Sequence, residues 1–308
     1  MRKAYPRVRA FFFKTKARRL AITSACIMVL ASALLSLWRP YRIFVTQQFL
    51  RLDHGRILIG MKYSPLNTPS YLAYDESTGI DAYPRDAEII GLSGSRGAMA
   101  IPVTRLSWHL VLNEEAGGEP VVVTLCTFSD AALAYSAIHR GRRLHFRPSG
   151  LARNNLLMQD RETGSIWQQF TGRALSGPLQ GSELDRVPVE RVSLSSWRRQ
   201  YPKGCLLAPA KNRKDTSVPH DMCPVMHGFA TDPFLLQPPQ SDAPRLPRKQ
   251  MVTGRLYPLG RSVATPRGEE ASLPDLPPFL QVRCYWFAWS EFYPESIVQR
   301  RDDTCNRP

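Results

Sequence analysis

Between residues 87 and 192 the chain alternates short apolar or β-branched runs with turns rich in glycine and aspartate. Strands that recur about every 8–12 residues with such turns between them are typical of antiparallel β proteins. The pattern predicts a mainly β (α+β) fold, built as an antiparallel β meander, a sandwich or an open barrel. Two short helices are expected in addition, around 104–113 and 195–201. The runs behind this prediction include EIIGL (88–92), AMAIPV (98–103), PVVVTLCTF (120–128), ALAYSAI (132–138) and NLLMQD (155–160).

The front of the chain has the layout of a membrane anchor. Eight Lys or Arg residues and no acidic residue occupy 1–19, and nineteen uncharged residues follow over 20–38. A helix of that length rises about 28 Å, close to the hydrocarbon thickness of a bilayer. Trp38 and Arg39 stand where interfacial anchors belong. We therefore expect a basic cytoplasmic leader, one transmembrane signal-anchor helix over 20–38, and the bulk of the chain on the periplasmic, extracytoplasmic side of the cell membrane.

A cleaved signal peptide is the alternative to an uncleaved anchor. The sequence at 31–33, Ala-Ser-Ala, resembles a signal-peptidase site. The apolar run continues from Leu34 to Trp38, however, beyond the usual short apolar region of a signal peptide, and this favours the uncleaved anchor. In either case residues 43–308 are expected outside the cytoplasm.

The net charge of +15 does not indicate a nucleic-acid partner. The leader alone contributes +8, which is where the positive-inside rule places cytoplasmic charge. No nucleic-acid binding is therefore expected. A second basic stretch, from Arg140 to Arg147, alternates as a solvated strand face or a protected hairpin edge does. Anionic lipid headgroups are an alternative partner for it if that face lies near the membrane.

Beyond the anchor, composition divides the chain into four segments. Residues 39–85 form a connector, 86–207 hold the β-rich core, 208–250 are irregular, and 251–300 form a truncated second repeat. Ten prolines within 231–280 are too many for continuous secondary structure there.

The second repeat is identified by a motif that occurs twice. The pattern W-x-x-x-Y-P at 197–202 recurs at 289–294, and Gly91 upstream of the first copy has a looser counterpart in Gly254. The second copy is shorter, as if its middle were deleted, and we expect it to dock on the core. The aromatic residues expected to make that contact are Trp286, Phe287 and Trp289.

Two stretches carry a family resemblance. A Trp-His-Glu-x-x-Asn-Asp element is matched by Trp108, His109, Asn113 and Glu114, with Leu110 in place of the Glu. A Ser-Gly-Leu…Asn-Leu…Asp-Arg-x-Thr…Trp run is matched by Ser149, Gly150, Leu151, Asn155, Leu156, Asp160, Arg161, Thr163 and Trp167. On these residues the chain resembles the Domain of Unknown Function 3179 family, closely over 86–207 and as a shortened second half over 251–298. The resemblance implies an exported or anchored protein and supplies no activity.

The largest departure from the family pattern is at Cys126-Thr127-Phe128-Ser129. The family typically carries Cys-Pro-Leu-Cys-Gly there, so one of two cysteines is missing. Dithiol redox chemistry or a two-thiolate metal site therefore cannot be carried over to this chain.

Five residues are candidates for a pocket: His109, Cys126, Arg153, Asn155 and Asp160. They are hydrogen-bonding or nucleophilic side chains embedded in apolar strand segments, where an unpaired polar group costs about 1–3 kcal/mol. A His–Cys pair can hold a soft metal or form an activated thiolate. The alternative is a buried network that binds nothing, in which Asp160 serves a hairpin turn over 160–164.

A candidate metal site is formed by His220, Cys223, Met226 and His227, because imidazole and soft sulfur ligands suit copper or another soft metal. The spacing is not a standard zinc pattern. The alternative is a surface loop whose Cys223 is disulfide-bonded. Five of the six cysteines follow the apolar segment, so at least one is expected to be free, to pair between chains or to bind a ligand.

These observations favour a membrane-anchored extracytoplasmic domain that acts as a binding or assembly module, with a protein or small molecule as its partner. The alternative is a metal- or thiol-dependent extracytoplasmic enzyme or a copper-binding protein. No phosphate-binding loop, dinucleotide fingerprint, nucleophile elbow or H-E-x-x-H motif occurs in the sequence.

Overall fold

A computed structural model describes most of the chain from residue 64 onward. The described ranges are 64–67, 69–74, 83–94, 97–209, 246–248, 250–257, 261–268 and 280–299, with the backbone of 50–52 and 57–59. The predicted leader, the segment 20–38 and the metal cluster at 220–227 lie outside the described residues. Within the described part, no helix combines the length and the apolar character that crossing a bilayer requires.

The described part of the chain is mainly β, as the sequence predicts, and it contains three short helices where the sequence predicts two. The first eleven strands are β1 Leu50–Leu52, β2 Ile57–Ile59, β3 Leu66–Asn67, β4 Tyr71–Ala73, β5 Glu88–Gly94, β6 Gly97–Pro102, β7 Val111–Ala116, β8 Glu119–Cys126, β9 Ala131–Ser136, β10 Ile138–His139 and β11 Arg142–Arg143. The others are β12 Phe146–Ala152, β13 Asn155–Asp160, β14 Ile166–Gln168, β15 Ala174–Ser176, β16 Arg186–Val187, β17 Glu190–Ser193, β18 Cys205–Leu207, β19 Met251–Leu256, β20 Ser262–Pro266, β21 Leu280–Tyr285 and β22 Ile297–Val298. The helices are α1 Val103–Leu106, α2 Leu194–Gln200 and α3 Trp286–Phe292.

Four open sheets and the small β10–β11 hairpin contain these strands. The front sheet has the order β17-β5-β6-β18-β4 and the central sheet β16-β9-β8-β7-β3. The back sheet has the order β1-β2-β12-β13-β14-β15, and the C-terminal sheet β21-β19-β20-β22. Most neighbours are antiparallel, and the three parallel pairs among the described strands are β3 with β7, β6 with β18 and β20 with β22.

The front and central sheets pack face to face through alternate apolar side chains. Successive side chains of a strand point to opposite faces, so one face of each sheet is apolar. The opposite face of the central sheet turns toward the back sheet. The fully buried side chains between the front and central sheets include Ile90, Leu92, Ile101, Leu112, Val123 and Leu125.

The predicted helix around 104–113 is only partly present. α1 ends at Leu106, and Leu110 adopts a left-handed φ of 59°, which a continuing right-handed helix excludes. Trp108 and His109 therefore lie in a turn, and β7 begins directly afterwards. The second predicted helix is found as α2, capped by Ser193, whose Oγ accepts from the amide of Ser196 at 3.2 Å.

The two W-x-x-x-Y-P segments are built into the same topology. In the front sheet, β17 pairs antiparallel with β5, β5 with β6, and β18 lies parallel to β6. The C-terminal sheet repeats this order and these directions with β21, β19, β20 and β22. Each copy places its helix between the corresponding third and fourth strands along the chain. The connection 103–189 in the first copy, which contains most strands of the central and back sheets, corresponds to only 267–279 in the second.

A glycine and a tryptophan mark the same contact in both copies. The indole of Trp197 lies directly on Gly91, and the indole of Trp289 lies directly on Gly254, so that a side chain at either glycine would overlap the ring. The two tyrosines of the motif pack on these indoles in matching geometry. Ring centroids are 4.3 Å apart for Trp197 with Tyr201 and 4.4 Å apart for Trp289 with Tyr293.

Candidate functional site

A buried network of polar side chains joins the central and back sheets. Asn155, at the start of β13, donates from Nδ2 to Ser129 Oγ at 3.0 Å and to Gln169 Oε1 at 2.8 Å. Gln169 in turn donates from Nε2 to Thr124 Oγ1 at 2.9 Å and to the carbonyl of Ala131 at 3.0 Å. The four polar side chains of this network are buried, and Ala131 takes part through its backbone carbonyl. The network therefore ties the two sheets by hydrogen bonds that water does not compete for.

Cys126 belongs to the same network. Its side chain is 1% exposed, and its thiol is hydrogen-bonded to Ser129. Burial raises the pKa of the Cys126 thiol, and the hydrogen bonds from Ser129, Phe128 and Leu156 offset this only in part. The thiolate is the nucleophilic form of cysteine, so at neutral pH this thiol is held in its unreactive, protonated form.

A two-residue turn directly before Asn155 places its side chain in the interior. Arg153 and Asn154 both have left-handed φ values, 53° and 56°, as a two-residue type I′ hairpin requires. The turn places Ala152 opposite Asn155 in the β12–β13 pair. The Oδ1 atom of Asn155 is buried and has no hydrogen-bond partner among the described residues.

Asp160 is used by the turn that follows β13. Its Oδ1 accepts from the amide of Thr163 at 2.6 Å and from its hydroxyl at 2.8 Å, while Oδ2 accepts from Trp167 Nε1 at 2.8 Å. Gly164 completes the turn with a φ of 73°. The carboxylate thus fixes the turn and anchors a buried indole.

The ring of His109 is hydrogen-bonded to Ser64 and Arg105, although the backbone next to it pairs with the end of β8, where the amide of Leu125 donates to the carbonyl of Leu110 at 2.9 Å. Its Nδ1 donates to the carbonyl of Ser64 at 2.8 Å, and its Nε2 accepts from Arg105 at 3.1 Å. The hydrogen bonds of Cys126 run to Ser129, Phe128 and Leu156 instead. Of the five residues predicted for a pocket, the structure brings together Cys126 and Asn155, through Ser129.

Arg153 points toward the second repeat. Its Nε lies 3.8 Å from Oε1 of Glu291 on α3, and its guanidinium lies 6.0 Å from the centre of the Phe292 ring. The same ring stacks on Phe170 of the core at 4.9 Å, and Phe170 also meets Trp289 edge-on at 6.5 Å. The contact between α3 and the core is therefore aromatic, with Arg153 at its half-exposed border.

A cluster of four charges joins the repeats and was not expected from the sequence. Arg191 donates to Asp130 Oδ1 at 2.8 Å and to Glu88 Oε2 at 2.5 Å. Arg283 binds the same two carboxylates, contacting Glu88 Oε1 and lying 3.4 Å from Asp130 Oδ2. The only available signal was that each arginine stands six residues before the tryptophan of its motif.

Burial and charge act in opposite directions on Glu88. Burial alone would raise the pKa of its carboxyl, but the charges and hydrogen bonds of Arg191 and Arg283 outweigh burial and lower the pKa below the ordinary 4.5. Asp130 adopts a left-handed φ of 53°, at the position where the family pattern has Gly. An aspartate tolerates this conformation better than most residues, and here its carboxylate becomes the partner of both arginines.

A second unexpected group lies between the front and central sheets. Glu114 is buried on β7, near Tyr71 of β4 and Cys205 of β18. Burial raises the pKa of the Glu114 carboxyl and also those of the Tyr71 phenol and the Cys205 thiol. For each of the three groups, burial therefore favours the protonated, uncharged form over the charged form.

Within the described ranges, no three His, Cys, Asp or Glu side chains are grouped as metal ligands would be. Three cysteines are described, Cys126, Cys205 and Cys284, and each is a free thiol. The predicted copper ligands at 220–227, including Cys223, lie outside the described residues.

Comparison with known proteins places the chain in a family. No curated protein matches it, and no solved structure matches it. A family model described as a protein of unknown function (DUF3179) matches residues 65–269, about two thirds of the chain. The match begins at β3 and ends just after β20, so it includes the core and the first hairpin of the second repeat. The chain belongs to the DUF3179 family.

Proposed function

We propose that this protein is a membrane-anchored, extracytoplasmic binding or assembly module. One observation carries the proposal: the thiol, amide and carboxylate groups of the core are buried and engaged with neighbouring protein groups, although Asn155 Oδ1 has no partner among the described residues. The thiol of Cys126 is buried and protonated, Asn155 bonds with Ser129 and Gln169, and both carboxylate oxygens of Asp160 are occupied. A general base or nucleophile has to reach a substrate, whereas a group held in this way contributes to the rigidity of a recognition scaffold.

The proposal includes the location and the domain organisation. The basic leader 1–19 and the apolar segment 20–38 support a single-pass anchor with the bulk of the chain in the periplasm. The division into a core at 86–207 and a truncated repeat at 251–300 is supported by the two copies of the hairpin and helix. The partner is a protein or a small molecule, and the membrane is contacted through the helix.

A second candidate is a copper-binding protein or a metal- or thiol-dependent enzyme. The observation in its favour is the soft-ligand cluster of His220, Cys223, Met226 and His227. It is independent of the buried network, so the two candidates can be separated by experiment.

The test is metal analysis of the purified full-length chain together with a matched double variant. A binding module without a resident metal should carry less than about one tenth of an equivalent of copper or zinc after dialysis against a weak chelator. A stoichiometric metal that is lost in His220→Ala/His227→Ala, but retained in His139→Ala/His145→Ala, would establish the second candidate instead. A reporter fused after Pro308 that is active only in the cytoplasm would contradict the proposed location.

A further inference from the structure

Four exposed arginines lie close together at one end of the back sheet. They are carried by the β10–β11 hairpin and by the adjoining ends of β12 and β13. We call them the basic surface, and they are Arg140, Arg142, Arg147 and Arg161.

Strand alternation turns these side chains outward. Phe146 and Asp160 pair across β12 and β13, and both are 1% exposed because they point into the core. Their neighbours therefore point the other way, Arg147 on β12 and Arg161 just after β13. The amide of Arg161 donates to the carbonyl of His145 at 2.9 Å, which keeps the two strand ends together.

The charges of the basic surface are not neutralised by the acidic side chains around it. Arg142 donates to the carbonyl oxygen of Glu162 at 3.4 Å, and Arg147 bonds to the side-chain amide of Gln159, so both acceptors are neutral. The carboxylate of Glu162 is taken by His145 at 2.8 Å. No ion pair joins any of the four arginines to an acidic residue within the part of the chain that the structure describes.

The fourth arginine lies at the tip of the β10–β11 hairpin. Arg140 and Gly141 form the two-residue turn with φ values of 50° and 75°, and His139 faces Arg142 across the hairpin. Arg143 beside them differs from the group, because it is paired with Glu115 at 2.5 Å. The four arginines without an ion pair in the described part of the chain are exposed, whereas Arg143 is partly buried.

We propose that the basic surface rests on the anionic phospholipid headgroups of the membrane that anchors the chain. The inference depends on the proposed anchor. Strand β2, which pairs with β12, begins nineteen residues after Trp38. An extended connection of that length reaches at most roughly 65 Å, so the proposed anchor would keep the start of β2 within that distance of the bilayer.

The chemistry of the surface fits this partner. A guanidinium binds a phosphate oxygen pair through two parallel N–H groups. Exposed basic residues near an anionic membrane gain about fivefold in binding per charge, the equivalent of ~1 kcal/mol each. Non-specific attraction of this kind depends on charge and not on the shape of the side chain.

The test uses the full-length chain reconstituted into vesicles of phosphatidylcholine alone or with about 30% phosphatidylglycerol. Hydrogen exchange is followed by mass spectrometry in peptides that cover 138–147 and 158–164. We expect exchange to slow at least threefold in the anionic vesicles, and the slowing to disappear in 0.5 M salt (about 4 Å screening length).

Matched variants identify the residues. Arg142→Gln/Arg147→Gln/Arg161→Gln should lose the slowing, and the same three positions changed to Lys should keep it. The triple variant Arg85→Gln/Arg199→Gln/Arg267→Gln, at exposed positions elsewhere, should behave as the unmodified chain does. Equal exchange in both kinds of vesicle would overturn the inference. So would slowing by a soluble polyanion such as heparin without any effect of the anionic vesicles.

A separate experiment distinguishes failure of the proposed anchor from failure of the lipid contact. Extraction at pH 11 followed by flotation reports whether the chain is integrated in the vesicles at all. A chain that floats with both vesicles but shows equal exchange retains the anchor and contradicts the lipid contact. A chain that is released at pH 11, but that floats with anionic vesicles only when the extraction is omitted and the salt is low, contradicts the anchor and supports the basic surface as a lipid-binding site.

Discussion

Arg191 and Arg283 stand at equivalent positions of the two repeats and bind the same pair of carboxylates. Arg191 lies opposite Ile90 on β5, and Arg283 lies opposite Thr253 on β19, one residue before the glycine of each copy. Both guanidinium groups converge on Glu88 and Asp130. The side chain of Arg191 is 6% exposed and that of Arg283 is 24% exposed. The two copies are thus held together by one arginine from each copy, which share Glu88 of the first copy and Asp130 of the central sheet connection.

Removal of either arginine should destabilise the protein, because it leaves two carboxylates short of a partner. For Arg191→Met we expect a loss of about 2–3 kcal/mol in the free energy of unfolding, less than the loss typical of a fully buried pair. Arg283→Met should cost less, since it is more exposed. Urea denaturation measures both. The double variant should cost more than the sum of the single ones, because each single variant leaves the other arginine on the carboxylates, and strict additivity would show that the arginines do not share their partners. Arg199→Met, on the exposed side of α2, is the control.

Stability should fall with acid through Glu88. Its pKa is lowered in the folded protein, so the stabilisation is complete above the ordinary value of 4.5 and is lost as the pH falls through the lower, folded value. The free energy of unfolding, measured between pH 7 and pH 3, should therefore decrease mainly below about pH 4.5. Glu88→Gln should lower stability at pH 7 and flatten this part of the profile. A Glu88→Gln profile parallel to that of the unmodified chain would contradict the assignment.

The two repeat glycines should not tolerate a side chain. A Cβ at Gly91 or Gly254 would overlap the indole of Trp197 or Trp289, and overpacking of this kind costs about 1–3 kcal/mol. Gly91→Ala and Gly254→Ala should each lower the midpoint of thermal unfolding. Gly94→Ala on the same strand is the matched control, since the nearest atom to its Cβ would be 3.5 Å away. If all three variants were equally stable, the close approach of the indoles would be wrong.

Cys126 and Cys284 should resist alkylation until the protein unfolds. Both are buried, and burial raises the pKa of each thiol. Cys205 is half-buried and should react earlier, although its pKa is also raised. Iodoacetamide labelling at pH 7.5, read by peptide mass spectrometry with and without urea, checks the order. Rapid labelling of Cys126 in the native chain would instead favour a thiol-dependent function.

Local features of the fold could be predicted from the sequence. Alternation identifies the strands because neighbouring side chains point to opposite faces of a sheet whatever the strand pairs with. The helix at 194–200 follows from the serine cap and the apolar spacing after it. The turn at 160–164 follows from Asp160 and Gly164, whose backbone preferences are their own. The helix expected over 104–113 failed where Leu110 takes a left-handed conformation to let β7 enter the central sheet.

Whether a polar residue is reactive or structural depended on the tertiary structure. Cys126 and Asn155 look alike as candidates for a pocket, and only the stacking of the back sheet on the central sheet makes them partners in one buried network. Tertiary packing also explains why the two repeat hairpins differ on the face that points away from the helix. It is apolar in the first copy, with Ile90 and Leu92, and polar in the second, at Thr253 and Arg255.

The sequence by itself determined the strands, the turns and the two copies of the aromatic motif, because each of these depends on residues close together in the chain. The tertiary structure decided that Arg191 and Arg283 meet at Glu88 and Asp130. These four residues come from distant segments, and no local spacing links them. A buried charge is stable only with a partner, and the identity of that partner is fixed by how the sheets pack.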